Sequence, residues 1–154
     1  MDFKNLGKKS DFDFSAPDPD ILETFENPAG DIVAPFLCHE FTSICPVTGQ
    51  PDFAKIEIVV VPDALGLESK SLKLFLNGFR NFGAFHEKII ADIGKILFQK
   101  LSPKFLRAFG DFSVRGGIAI KPLFLKFSDK ISATEKIEIS EKIKNYDRIR
   151  HFDF

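Results

Sequence analysis

Along the chain, apolar and polar positions switch between a period of two and a period near that of a helix. From Asp31 to Ile44 the pattern is extended. From Phe53 to Val61 it alternates, with Ile56, Ile58 and Val60 on one face and Lys55 and Glu57 on the other. Such alternation predicts strands, because successive side chains of an extended chain point to opposite faces. Between these segments, "PVTGQP" predicts a hairpin with a long turn, leaving Cys45 and Asp52 at its two shoulders. After "PDALGLE" the period lengthens: Leu72, Phe75, Leu76 and Phe79 form a helical stripe, with Lys70, Lys73, Asn77 and Arg80 opposite it. A second helix follows Gly83, carrying Phe85, Ile89, Ile93, Ile96, Leu97 and Leu101 before "SPK" ends it. "FLRAFGDFSV" and "GGIAIKPLFLKF" return to extended patterns, divided at Arg115, Gly116 and Gly117.

The predicted order is strand, strand, helix, helix, strand, strand, an α+β arrangement. Residues 1–24, rich in Asp, Lys, Pro and Ser, read as an N-terminal arm, residues 25–130 as the folded domain and residues 131–154 as a C-terminal extension. The charged extension with its sparse isoleucines reads equally as a helix or a flexible segment. No repeat of solenoid length is present.

Composition narrows the function classes. A chain of 154 residues with 44% hydrophobic residues buries one core. Lys plus Arg number 21 against 22 for Asp plus Glu, so no global charge favours nucleic acid or an anionic membrane. The N-terminus lacks the apolar core of a signal peptide and no run is long enough to span a bilayer, so a cytoplasmic location is expected. Two cysteines suit a reducing compartment. Cys38 and Cys45 stand seven residues apart in an extended segment, a spacing that predicts opposite faces and free thiols. Phenylalanine is abundant, 19 residues against one Tyr and no Trp, and the runs "DFDF" and "HFDF" bring it to both termini.

Cys45, at a turn rather than in mid-strand, is the candidate nucleophile, since nearby backbone N–H groups or charges favour the reactive thiolate. The plainer reading is a small hydrophobe at a strand end. Asp52 reads as a turn aspartate or, buried beside the thiol, as its proton partner. "FHEKI" does not make a zinc motif, because Ile90 stands where the second histidine would be, and no spacing supports a metal site. His86 and Glu87, adjacent at a helix start, can meet one ligand there, or Glu87 can simply complement the helix dipole. Lys70 and Lys73 lie one turn apart, either a solvated face or a phosphate cradle. Neither a Rossmann glycine fingerprint nor a P-loop is present.

Four stretches, "EFTSICPVTGQPDFA" at 40–54, "ESKSLKLF" at 68–75, "LNGFRNFGAFHEKI" at 76–89 and "RGGIAIKP" at 115–122, closely resemble the QueF reductases in sequence and order. The resemblance implies the tunnelling fold, in which subunits join into a barrel. It also implies NADPH-dependent conversion of the nitrile of 7-cyano-7-deazaguanine to an aminomethyl group in queuosine biosynthesis. By the same resemblance Cys45 forms a covalent thioimide and Asp52 supplies a proton to nitrogen. Glu87 and His86 hold the substrate ring, and Glu68 and Ser69 lie at the boundary between substrate and cofactor. Lys70, Lys73 and Arg115 take the NADPH phosphates. One copy of the fold implies the single-module subfamily, a homo-oligomer of two stacked pentamers with active sites between subunits. Phe82, Ala84, Cys38 and His39 depart from the residues expected of the family.

Two other readings make different demands. A GTP cyclohydrolase-like or pterin enzyme of the same fold would share Glu87 as ring anchor and carry catalytic zinc. A ring-forming ligand-binding protein would bind without turnover.

Overall fold

The computed structural model describes Phe14, residues 16–27 and residues 30–150. "HFDF" and all of "DFDF" but Phe14 therefore lie outside the described residues. After a 3₁₀ turn at Pro19–Ile21 come β1 (Thr24–Glu26), β2 (Ala34–Ile44), β3 (Pro51–Val61) and β4 (Leu65–Leu67). The helices α1 (Ser69–Asn77) and α2 (His86–Leu101) follow, then β5 (Phe105–Phe112), β6 (Leu123–Phe127) and α3 (Ala133–Ile149). The strands β2, β3, β5 and β6 make an antiparallel sheet in that order, and β1 pairs with β4 in a separate ribbon.

One face of the sheet is covered by α1 and α2. Ile56, Ile58 and Val60 from β3 meet Leu72 and Phe75 of α1 and Ile89, Ile93 and Leu97 of α2 in a single buried cluster. Phe79 belongs to that cluster although α1 has already ended at Asn77, and Leu22 joins it from the N-terminal segment. Phe85, expected in the stripe of the second helix, instead caps that helix and is 62% exposed, because its extended backbone lies before the first helical turn.

The other face is not a solvated one. Val59, Val61 and Phe105 pack against Ile139 and Ile143 of α3. The C-terminal segment is thus a helix with a defined docking site, and its start is fixed by Ser132 and Glu135, whose side chains bond each other's backbone N–H in a capping box. Glu57, on the polar side of the alternation, is only 4% exposed. Arg107 Nη2 donates to it at 3.1 Å, the Tyr146 hydroxyl at 3.0 Å, and Arg150 donates as well. Arg107 also grips Asp147 of α3 through two bonds of 2.8 and 2.7 Å. A carboxylate this deep requires such partners, since an unpaired buried charge is strongly destabilising.

Two strand expectations change. The last strand is confined to Leu123–Phe127: Ile120 and Pro122 still accept from Phe112 N–H and Gly110 N–H of β5, but Pro122 has no N–H with which to complete the ladder. In β2, Cys38 lies opposite Ile56 and Phe41 opposite Ala54, so one extra residue is accommodated between them as a bulge. The extra residue shifts the phase of the alternation. Cys38 packs toward the helix-covered core, and Phe41 and Ser43, both buried, continue on that same side, so the parity argument for opposite faces fails. Distance separates the thiols instead: seven residues at about 3.3 Å each place them roughly 20 Å apart along the strand, and both are free.

Candidate active site

The β2–β3 turn is closed by two backbone bonds, Cys45 N–H to Gln50 O at 2.8 Å and Gly49 N–H to Cys45 O at 3.0 Å. Gly49 takes a φ of +69°, which a residue with a Cβ adopts only with strain. The turn wraps donors around the sulfur. The Thr48 hydroxyl first, then the backbone N–H groups of Thr48 and Val47, hold the Cys45 thiol down from its ordinary value of 9.0 to about 7, against burial and the negative charge of Asp52. Burial pushes the Cys38 thiol the other way. The two cysteines therefore differ in reactivity because one sits among donors and the other among apolar groups.

Asp52, at the opposite shoulder, pairs directly across the ladder with Ser43 and is 4% exposed. The segment before α2 is stitched to the end of β2: Ile44 N–H donates to Phe82 O at 3.2 Å and Ala84 N–H to Ile44 O at 3.3 Å. That stitching brings the first turn of α2 to the turn. His86 Nε2 lies 3.2 Å from Asp52 Oδ1, and its ring stacks on Phe112 of β5. Arg115 reaches in from the β5–β6 loop, with Nη2 at 2.8 Å from the same Oδ1. Glu87, next on the helix, is exposed.

The structure thus unites Cys45, Asp52, His86 and Arg115, with Glu87 beside them. It sets Glu68, Ser69, Lys70 and Lys73 elsewhere, at the start of α1. Glu68 is buried at 6% and caps that helix, its two carboxylate oxygens accepting from Lys70 N–H at 2.8 Å and Ser71 N–H at 2.7 Å. Ser69 and Lys73 line a mostly apolar groove of about 400 Å³ with Pro35, Cys38, Leu72 and Leu76. Three contributors escaped the sequence reading. Thr48 passed as a turn residue and Phe112 as core, and Ser43 gave no signal, yet its buried hydroxyl, like His86 Nδ1, has no protein hydrogen-bond partner. A partner three residues away was open to inference for Thr48; the others depend on strand pairing. Among the described residues, no three His, Cys, Asp or Glu side chains gather as a metal site.

A family model described as QueF-like protein matches residues 51–130, more than half of the chain. The chain belongs to the QueF-like family. This QueF-like chain is 52% identical over 108 residues to the NADPH-dependent 7-cyano-7-deazaguanine reductase of Streptococcus thermophilus, a match covering 69% of this chain and 66% of that relative's length. To the reductase of the same name from Bacteroides thetaiotaomicron it is 49% identical over 121 residues, covering 76% of this chain and 78% of the relative. That of Neisseria meningitidis serogroup C is 53% identical over 106 residues, 68% of each chain. Among solved structures, the apo form of the archaeosine synthase QueF-Like superposes with a TM-score of 0.56 at 14% identity, over 69% of this chain and 100% of that one. At that identity the likeness establishes the α+β tunnelling fold of this QueF-like chain.

Proposed function

We propose that the chain is an NADPH-dependent 7-cyano-7-deazaguanine reductase, acting in the cytoplasm on the path to queuosine in tRNA. The observation that carries this reading is a thiol brought to about 7 by the turn that holds it, beside a buried carboxylate, in a family whose similar members bear that name.

The Cys45 thiol passes its proton to Asp52 and adds to the nitrile carbon; the carbon–sulfur bond forms as one carbon–nitrogen π bond breaks, and nitrogen takes the proton from Asp52. The product is a thioimide, which accepts hydride more readily than a nitrile does. Glu87 accepts from the adjacent N–H donors of the guanine-like ring, a pairing that an adenine edge does not offer. His86 orients Asp52 beside the same ligand.

The groove at the start of α1 suits part of a dinucleotide: its apolar floor suits a ring, and the charges of Lys73 on its lining and of Lys70 on the same helix suit phosphates. When bound, NADPH supplies the hydride. Glu68 serves this site by ordering the helix start, and Ser69 lines the groove. Because one chain sets the groove and Cys45 far apart along β2, subunits of a homo-oligomer, two stacked pentamers, complete each other's sites. The edge strands and the exposed Leu37, Phe53, Leu123 and Leu125 suit such contacts.

The test is intact-protein mass spectrometry after mixing with 7-cyano-7-deazaguanine without NADPH. One substrate adduct in the wild type and none in Cys45→Ala is expected. A folded, reduced wild type that forms no adduct overturns the reading.

A further inference from the structure

Arg115 was expected at the cofactor phosphates, yet its guanidinium lies on the acid. Nη2 sits 2.8 Å from Asp52 Oδ1 and donates at 2.7 Å to the carbonyl of Pro51, so one side chain clamps two successive residues of β3. The loop is shaped for this. Arg115 and Ile118 exchange backbone bonds of 3.1 and 3.0 Å around Gly116 and Gly117, whose φ values of +56° and +81° suit a two-residue hairpin that only glycine makes without strain. The loop is anchored to the same strand by Ser113 N–H, which donates to Phe53 O at 2.9 Å.

The geometry points to Arg115 as a positioning residue for Asp52 in the addition step, independent of the cofactor. This rests on the reductase reading. Arg115 and His86 both engage Oδ1, from two different elements. The clamp therefore fixes the carboxyl torsion and with it the direction in which Asp52 presents its carboxyl group. Thiol addition to a nitrile moves one proton overall from sulfur to nitrogen. Asp52 takes it from the Cys45 thiol and delivers it to the nitrile nitrogen as the carbon–sulfur bond forms, ending as the carboxylate it began as. No oxidant or reductant enters. Arg115 stabilises that carboxylate at both ends of the step, and the charge-assisted bond holds it in line.

The experiment follows adduct formation with 7-cyano-7-deazaguanine by rapid-quench mass spectrometry, without NADPH, in wild type, Arg115→Ala and Arg115→Lys, alongside NADPH titration of each. Addition in Arg115→Ala is expected to slow by about ten- to a hundredfold, the scale of a lost orienting contact, with NADPH affinity within about threefold of wild type, a difference under 1 kcal/mol. Arg115→Lys, which keeps the charge but not the fork, recovers part of the rate and decides the matter should the alanine variant not fold. Wild-type adduct formation in Arg115→Ala together with weakened NADPH binding overturns the inference and makes Arg115 a phosphate ligand. Absence of adduct in the wild type itself overturns the reductase reading instead.

Discussion

The imidazole of His86 lies flat on the ring of Phe112, with centroids 3.9 Å apart and planes 11° from parallel. The stack fixes the imidazole plane while Nε2 meets Asp52, so packing and hydrogen bonding are separable here. His86→Phe retains an aromatic ring on Phe112 and removes the bond. It is expected to change stability by no more than about 1.5 kcal/mol, as volume-conserving swaps do, while slowing thioimide formation. Thermal melts and adduct kinetics check the two halves; adduct formation at the wild-type rate removes His86 from the mechanism.

Cys45 is expected to titrate with a midpoint near its value of about 7 when alkylation by iodoacetamide is followed against pH. The thiolate is the reactive form, so the rate rises as pH passes upward through that value. Thr48→Val removes the largest cause of the depression, the hydroxyl donor, and moves the midpoint upward toward the ordinary thiol range. Cys38, pushed upward by burial, stays slow across the same range. A midpoint unmoved by Thr48→Val contradicts the donor account.

Docking of α3 is expected to be a stability device that the chemistry does not need. Ile139, 4% exposed against Val59, Val61 and Phe105, loses about 2–4 kcal/mol on truncation to alanine. Glu57→Ala takes away one of the two carboxylates on Arg107, leaving Asp147, and costs about 1–3 kcal/mol. Urea denaturation measures both. Adduct formation by the folded fraction is expected to stay at the wild-type rate, and a loss there would tie α3 to the active site.

At the start of α1, Lys73→Ala is expected to raise the NADPH KM while leaving cofactor-free adduct formation unchanged, since Lys73 lines the groove away from Cys45. Glu68→Ala is expected to cost about 1 kcal/mol for the lost cap and to weaken NADPH indirectly. Loss of cofactor-free adduct formation in Lys73→Ala would place this helix in the chemical step.

The order of the four sheet strands and the first two helices was written in the sequence because each rests on a local period: two for β2 and β3, near 3.6 for the stripe from Leu72 and for that from Ile89; β1 and β4, three residues each, are too short to show one. The shoulders of the hairpin were local too, so Cys45 and Asp52 were visible as a pair across one turn. The start of α3 was also marked, by Ser132 and Glu135 at capping-box spacing, although its sparse isoleucines did not declare which surface they would cover. What only the tertiary structure decided depends on pairings between distant segments. Glu57 looked like a surface residue until Arg107, Tyr146 and Arg150 closed over it. The bulge after Cys38 exists only in the register of β2 against β3, and it reversed a parity argument that was sound for an unbroken strand. Arg115 could be assigned to phosphate from its motif, but that its guanidinium rests on Asp52 follows from the glycine hairpin and the course of the loop across β3. Local periodicity reports which face of an element is buried; charges and hydrogen-bonding groups are matched across the fold, where sequence distance carries no such information.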